Sequence, residues 1–268
     1  MTETRNTTDG LEPIGVDLGV PGPHVIGATG GSGTRVVARI VRAAGLYIGE
    51  KLNPYEDAVE LGFFSDRWID RFVEAGDAAP DALYEEMTAD LRAVLADHAS
   101  GLPRDARAWG WKEPRSIYLL PFWNAALPGL RFLHFIRDGR DMAFSDNQQQ
   151  LKKHGDAVLA GELRRARTST RSIAVWGRIN TQAADFGEGS LRDRYLRVRF
   201  EDLCAQPAET VARILAFFGL EGDAEAVARA EIRPPDTLGR WRQRRKGVVA
   251  ELHREAGPAL DRFGYTDR

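Results

Sequence analysis

The sequence predicts an α/β fold, a three-layer sandwich with a mostly parallel central sheet, from three observations. Short apolar runs alternate with stretches of helical periodicity. The first run ends in a glycine-rich loop that opens directly into a helix, and a later, strongly apolar run closes on Asp138-Gly139 before another helical stretch. Strands separated by helices pair in parallel and need helices over both faces. A chain of 268 residues, 43% hydrophobic and 28% charged, fills such a fold as one domain, expected over residues 24–268, and is incompatible with collagen, coiled coil or full-length disorder.

Residues 1–23, rich in Thr, Gly, Pro and Asp without apolar period, are expected to form a mobile leader. The first strand starts at His24 and runs through Val-Ile-Gly-Ala-Thr. The first helix follows from Thr34, with apolar residues at 36, 37, 40, 41 and 44. Two helices are expected over 54–75 and 81–98. The second strand is Arg107-Ala-Trp-Gly-Trp-Lys, the third Arg131-Phe-Leu-His-Phe-Ile-Arg and the fourth Tyr195-Leu-Arg-Val-Arg-Phe. Helices over 141–153 and 168–186 lie between the last two, with 148–168 polar, basic and expected to be mobile. Pro207 opens a helix that Gly219 ends, and residues 240–265 read as a basic segment plus a final helix.

Net charge is −2 with pI about 6.3, so no bulk positive field would hold nucleic acid or an anionic membrane. An anion must instead meet a local site. The single cysteine, Cys204, cannot form an internal disulfide, and no apolar run reaches about 18 residues, so a soluble, cytoplasmic setting without integral membrane contact is expected. Only five of the 37 basic residues are lysines (51, 112, 152, 153 and 246). The arginine excess suits phosphate and sulfate groups, although a codon bias that favours Arg and Ala is the better explanation of such a ratio.

The loop Gly27-Ala-Thr-Gly-Gly-Ser-Gly-Thr-Arg sets Gly30, Gly31, Ser32, Gly33, Thr34 and Arg35 between a buried strand and a helix start, where free N–H groups and the helix dipole favour an anion. It departs from the triphosphatase loop, which needs Gly-Lys-Ser/Thr: Thr34 follows Gly33. No acidic metal-binding strand end accompanies it and no metal-ligand spacing exists among His, Cys and acids, so no metal is expected. A diphosphate-like ligand with a terminal sulfate suits these residues. A second anion site is read from Arg137 at the third strand's end and Ser145 two helical turns on, provided Asp138-Gly139 makes the turn and Asp141 opens the helix.

Together the loop at 30–35, the Arg137/Ser145 segment, Trp109-Gly-Trp-Lys-Glu-Pro-Arg, Val198-Arg-Phe-Glu-Asp-Leu with Pro207, and Gly239-Arg-Trp-Arg resemble the sulfotransferase family that uses 3′-phosphoadenosine 5′-phosphosulfate (PAPS). The resemblance spans residues 24–265 and is closest to soluble bacterial and carbohydrate-modifying branches. It implies a P-loop kinase-like sandwich, a 5′-phosphosulfate on the first loop, a 3′-phosphate on Arg137 and Ser145, and cofactor contacts from Arg240 and Trp241. Arg245-Lys246-Gly247 is similar to a cofactor-binding triplet of the cytosolic branch but is spaced differently from the chain end. Two positions depart from the family: Gly31 stands where many members carry lysine, and Pro114 stands where the cytosolic branch carries a base histidine.

The implied reaction moves a sulfuryl group in line from PAPS to a hydroxyl or amine of a small-molecule, glycan or lipid acceptor and releases adenosine 3′,5′-bisphosphate. Lys112 is the candidate donor to the leaving oxygen. Asp57 and Glu113 are the leading candidate bases, with Glu56, Glu60 and Asp66 as alternatives; His134, inside an apolar strand, reads as a satisfied core residue. The stretch from Tyr47 to Trp68 lies where the resemblance implies substrate-facing helices, and core packing is the expected use of most of its aromatics. Two other functions fit the same loop: a nucleotide phosphotransferase and a non-catalytic PAPS- or phosphate-binding module.

Overall fold

The computed structural model describes residues 12–266. Five strands, β1 (His24–Gly27), β2 (Leu46–Tyr47), β3 (Ala108–Lys112), β4 (Arg131–Ile136) and β5 (Tyr195–Arg199), form one sheet in the order β2-β3-β1-β4-β5. Every pairing is parallel, so the chain must cross over between strands, and β1 lies at the centre with His24 opposite both Gly110 and Arg131. A Cβ at Gly110 would sit 1.8 Å from the His24 carbonyl oxygen, so only glycine lets β3 approach β1 here. The chain leaves β1 toward β2 and β3 on one side and returns to β4 on the other. That reversal opens a crevice at the carboxyl ends of β1, β3 and β4, where ligands bind in such sheets.

Alternation along the strands sorts the core. Val25, Trp109, Trp111 and Phe132 face one way, under α2 (Val59–Ala75), α3 (Asp81–Ala99), α4 (Leu120–Ala126) and part of α7 (Thr168–Phe186). Ile26, Leu133, Phe135 and Val198 face the other, under α1 (Thr34–Ala43) and α9 (Pro207–Phe218). A third cluster around Ile136, Trp176, Leu252 and Phe263 joins α7 to α5 (Gly139–Met142) and α11 (Lys246–Arg262).

The remaining helices are α6 (Gln149–Val158), α8 (Phe200–Ala205) and α10 (Ala224–Glu231). None of the three is among the expected elements as bounded here, nor is the two-residue β2. The expected helix over 141–153 is broken. Asp138, not Asp141, caps α5 by accepting from the Arg140 N–H at 2.8 Å. The chain then leaves the helix through Ser145, whose hydroxyl accepts from the Asn147 N–H at 3.2 Å. Short polar side chains here satisfy the backbone without a helix. Residues 149–158 of the expected mobile loop form α6, whose Leu151, His154 and Val158 recur on one buried face. The helix expected from residue 54 starts at Val59, because Asn53 Oδ1 accepts from the N–H groups of Tyr55 and Asp57 and ties residues 53–57 into a turn. Of the leader expected over residues 1–23, residues 1–11 lie outside the described residues. Residues 12–23 bond to the body through Ile14 N–H to Ala126 O, Trp109 N–H to Pro21 O and Arg131 N–H to Pro23 O.

Candidate active site

A cavity of about 850 Å³ opens in the crevice. One wall is the loop that leaves β1 (Gly30, Gly31, Gly33, Thr34, Arg35), the opposite wall Asn53, Tyr55, Asp57 and Phe63, and the floor Lys112–Arg115 at the end of β3. The loop's shape depends on two glycines: Gly31 at φ +88° and Gly33 at φ +87°, which caps α1. A Cβ at Gly31 would stand 3.3 Å from Ser145 Oγ, a tight contact that the hydroxyl would have to yield to. Ser32 is turned inward, donating to Thr29 O at 2.6 Å and approaching Met142 Sδ at 3.4 Å, so its hydroxyl braces the loop from behind. Thr34 and Arg35 line the cavity from the first turn of α1, and the Arg35 guanidinium lies over the Tyr55 ring with no ion-pair partner among the described residues.

Lys112 is 1% exposed and its ammonium reaches the cavity floor. It donates to the Tyr55 carbonyl at 2.6 Å and to Asp57 Oδ1. Burial pushes its pKa down, against the opposing pull of Asp57 and Glu113. Two of its three protons are used, which leaves one donor for a ligand. Asp57 also accepts from Asn53 Nδ2 at 3.0 Å and remains partly open to the cavity. Glu113, 2% exposed, accepts from Ser65 Oγ at 3.0 Å and Arg115 Nε at 2.8 Å, and burial pushes its carboxyl above the usual range despite Arg115.

The alternative bases separate. Asp66 lines the cavity but is claimed by Arg115 and Lys153, which outweigh its burial and lower its pKa. Glu60 turns away to His98 Nδ1 at 2.5 Å, and Glu56 pairs with Arg39 and Arg42. His134 is a core residue: Tyr195 OH lies 2.6 Å from Nδ1 and Asn180 Oδ1 lies 2.7 Å from Nε2, and burial pushes its pKa down to about 4.

Arg137, 4% exposed, donates to Thr237 O at 2.8 Å and lies against Asp141, while its Nε is buried without a partner. Arg240 reaches the same carbonyl through Nε at 3.2 Å and donates to Phe144 O at 3.2 Å, beside Ser145. Burial and the neighbouring Arg137 lower the Arg240 pKa, against the opposing pull of Asp141, which ion-pairs with Arg137 at 3.4 Å, and of Asp146. Asp141 is buried and accepts from Gly239 N–H at 2.7 Å and Trp241 N–H at 3.2 Å, which fastens residues 237–241 over the end of β4. Trp241 is 5% exposed, with the Arg140 guanidinium 3.8 Å from its ring centre; its indole is packed into the body. Arg245 and Lys246 are exposed at the start of α11. Sequence reasoning missed Thr237, Arg115 and Lys153 as site neighbours; only Arg115 carried a signal, as the last residue of the Trp109–Arg115 motif.

The crevice thus belongs to an α/β protein whose central strand ends in a glycine loop facing a buried lysine and carboxylates. The family model described as "Sulfotransferase family" matches residues 33–224, and the chain belongs to that family, whose reaction class is sulfuryl transfer. Among solved structures, the sulfotransferase domain from the Synechococcus PCC 7002 olefin synthase superposes with a TM-score of 0.57 at 18% identity, covering 96% of this chain and 100% of that one. A sulfotransferase from Alicyclobacillus acidocaldarius superposes at 0.53 and 18% identity, covering 90% and 93%. At such identities the likeness is one of fold. No curated protein matches the chain. Among the described residues, no group of three or more His, Cys, Asp or Glu could hold a metal, and no helix is long and apolar enough to cross a membrane.

Proposed function

We propose that the protein transfers a sulfuryl group from PAPS to a hydroxyl or amine of a small-molecule, glycan or lipid acceptor and releases adenosine 3′,5′-bisphosphate. The observation that carries this reading is the convergence of Arg137 and Arg240 on one neutral carbonyl oxygen beside Ser145, within a step of the glycine loop. Two guanidiniums and an unpartnered buried Nε suit a phosphate, which offers three acceptor oxygens where the carbonyl offers one.

The loop amides of residues 30–35 with the hydroxyl of Thr34 and the cation of Arg35 would hold the 5′ end, and Arg137, Arg240 and Ser145 the 3′-phosphate. PAPS supplies an activated sulfur whose bond to the phosphate oxygen breaks as the acceptor oxygen or nitrogen bonds to it. Lys112 takes over the charge that a lysine at position 31 would carry, its third N–H directed to the leaving oxygen. Asp57 receives the acceptor's proton, because its side chain is 19% exposed at the cavity while that of Glu113 is 3% exposed. The exposed rings of Tyr55 (59%) and Phe63 (68%) flank the acceptor's entry.

Thermal-shift and calorimetric titration with adenosine 3′,5′-bisphosphate, against ATP with magnesium, tests the cofactor. Stabilisation by the bisphosphate alone is expected; stabilisation by Mg-ATP alone overturns the reading in favour of phosphoryl transfer. Transfer of labelled sulfate to a panel of sugars, phenols, amines and long-chain alcohols tests catalysis. Binding with no transfer to any of them would leave a binding module.

A further inference from the structure

Glu56 joins the cradle helix to the proposed catalytic pair. It has φ +62°, a left-handed backbone that disfavours a side chain, and so must be held there by its surroundings. Its neighbours on both sides are the two groups that bind the Lys112 ammonium: the Tyr55 carbonyl before it and the Asp57 carboxylate after it. Its own carboxylate accepts from Arg39 Nε at 2.9 Å and Arg42 Nη1 at 3.3 Å, both on α1, the helix that begins at the glycine loop. Burial works against its ionisation, yet the two guanidiniums outweigh it and hold the carboxyl below the usual range. Arg35, one turn earlier on α1, lies over the Tyr55 ring. Asn53 closes the turn from within, accepting from Glu56 N–H through its carbonyl at 2.8 Å and from Tyr55 and Asp57 N–H through its side chain.

We propose that Glu56 is a positioning residue: anchored to Arg39 and Arg42, it holds the Tyr55 carbonyl and the Asp57 carboxylate on the Lys112 ammonium, so that the base and the leaving-group donor are placed relative to the cradle. The strained turn is what brings two successive acceptors to one ammonium, and the ion pairs are what keep the turn. This role for turnover rests on the sulfuryl-transfer reading, whereas the tether itself does not.

The test is Glu56→Gln, which keeps the shape and removes the charge. Hydrogen exchange of residues 52–58, read by mass spectrometry without ligand, is expected to quicken by about tenfold, the equivalent of about 1.4 kcal/mol. In the same variant kcat for labelled-sulfate transfer falls at least about tenfold, while the KM for PAPS, the affinity for adenosine 3′,5′-bisphosphate and the thermal midpoint hold. Arg39→Gln, on an exposed helix face, moves exchange in the same direction if the Gln variant folds poorly. Unchanged exchange in both variants overturns the tether. Faster exchange with unchanged kcat overturns the catalytic role. Failure of the wild type to bind the bisphosphate sinks the sulfuryl-transfer reading and leaves the exchange result standing.

Discussion

Arg137 and Arg240 share a single acceptor, the main-chain oxygen of Thr237, at 2.8 and 3.2 Å. The two guanidiniums repel each other, the Asp141 carboxylate 3.4 Å from Arg137 offsets part of that repulsion, and a bound phosphate would relieve more of it. Replacing Arg137 with Ala should therefore weaken adenosine 3′,5′-bisphosphate binding by about 10- to 100-fold, the worth of one charged hydrogen-bonding group. The affinity for adenosine 5′-phosphate, which lacks the 3′ group, should change little. Calorimetry with both nucleotides checks this, and an equal loss for the two would remove Arg137 from the 3′ site.

Lys112→Ala is expected to lower kcat by about 100-fold or more while the bisphosphate affinity changes by less than about threefold, since the ammonium acts where charge develops. Because burial lowers its pKa, the alkaline limb of the kcat profile should begin below the ordinary lysine range, as the ammonium loses its proton. Unchanged turnover in the Ala variant would exclude Lys112 from the chemistry.

Gly31→Ala tests the loop. At φ +88° a side chain costs about 1–2 kcal/mol, and the new Cβ would press on Ser145 Oγ 3.3 Å away. Bisphosphate affinity should fall about tenfold, together with a lower urea midpoint that reflects the strain. A lower urea midpoint with full affinity would mean that the loop's shape serves folding alone.

His134 makes stability depend on acid. Its folded pKa is pushed down to about 4 from 6.5, so between those values the unfolded chain takes up a proton that the folded one refuses. Stability therefore falls as pH drops from about 6.5 toward 4, by at most about 3 kcal/mol from this ring, and levels off below. Urea midpoints at pH 7 and 4.5 should differ less in His134→Gln than in the wild type. Identical differences would assign the acid loss to other groups.

Much of the fold was legible because apolar period is a local property. The strands expected from His24, Arg107, Arg131 and Tyr195 and the helix over 168–186 all appear within a few residues of their expected bounds. Errors gathered where short polar side chains compete with the backbone: at Asn53, which delays α2 to Val59, and around Ser145, which interrupts the expected helix over 141–153. The two-residue β2 carries too little pattern to be read.

The candidate site residues were read from residue types and spacings. The glycine loop, Arg137 at a strand end and Lys112 after a buried strand are each set by a few neighbours along the chain. What only the tertiary structure decided is which partners each of five acids meets and that three of them, Asp57, Asp66 and Glu113, line the cavity. Asp57, Glu60, Asp66, Glu113 and Glu56 look alike in sequence, and long-range partners separate them: His98 takes Glu60, Arg115 and Lys153 take Asp66, α1 takes Glu56, and Lys112 keeps Asp57 at the opening. A carboxylate's role depends on which cations the fold brings within a few ångströms, and that distance is set by packing between segments remote in sequence, not by the residues beside it.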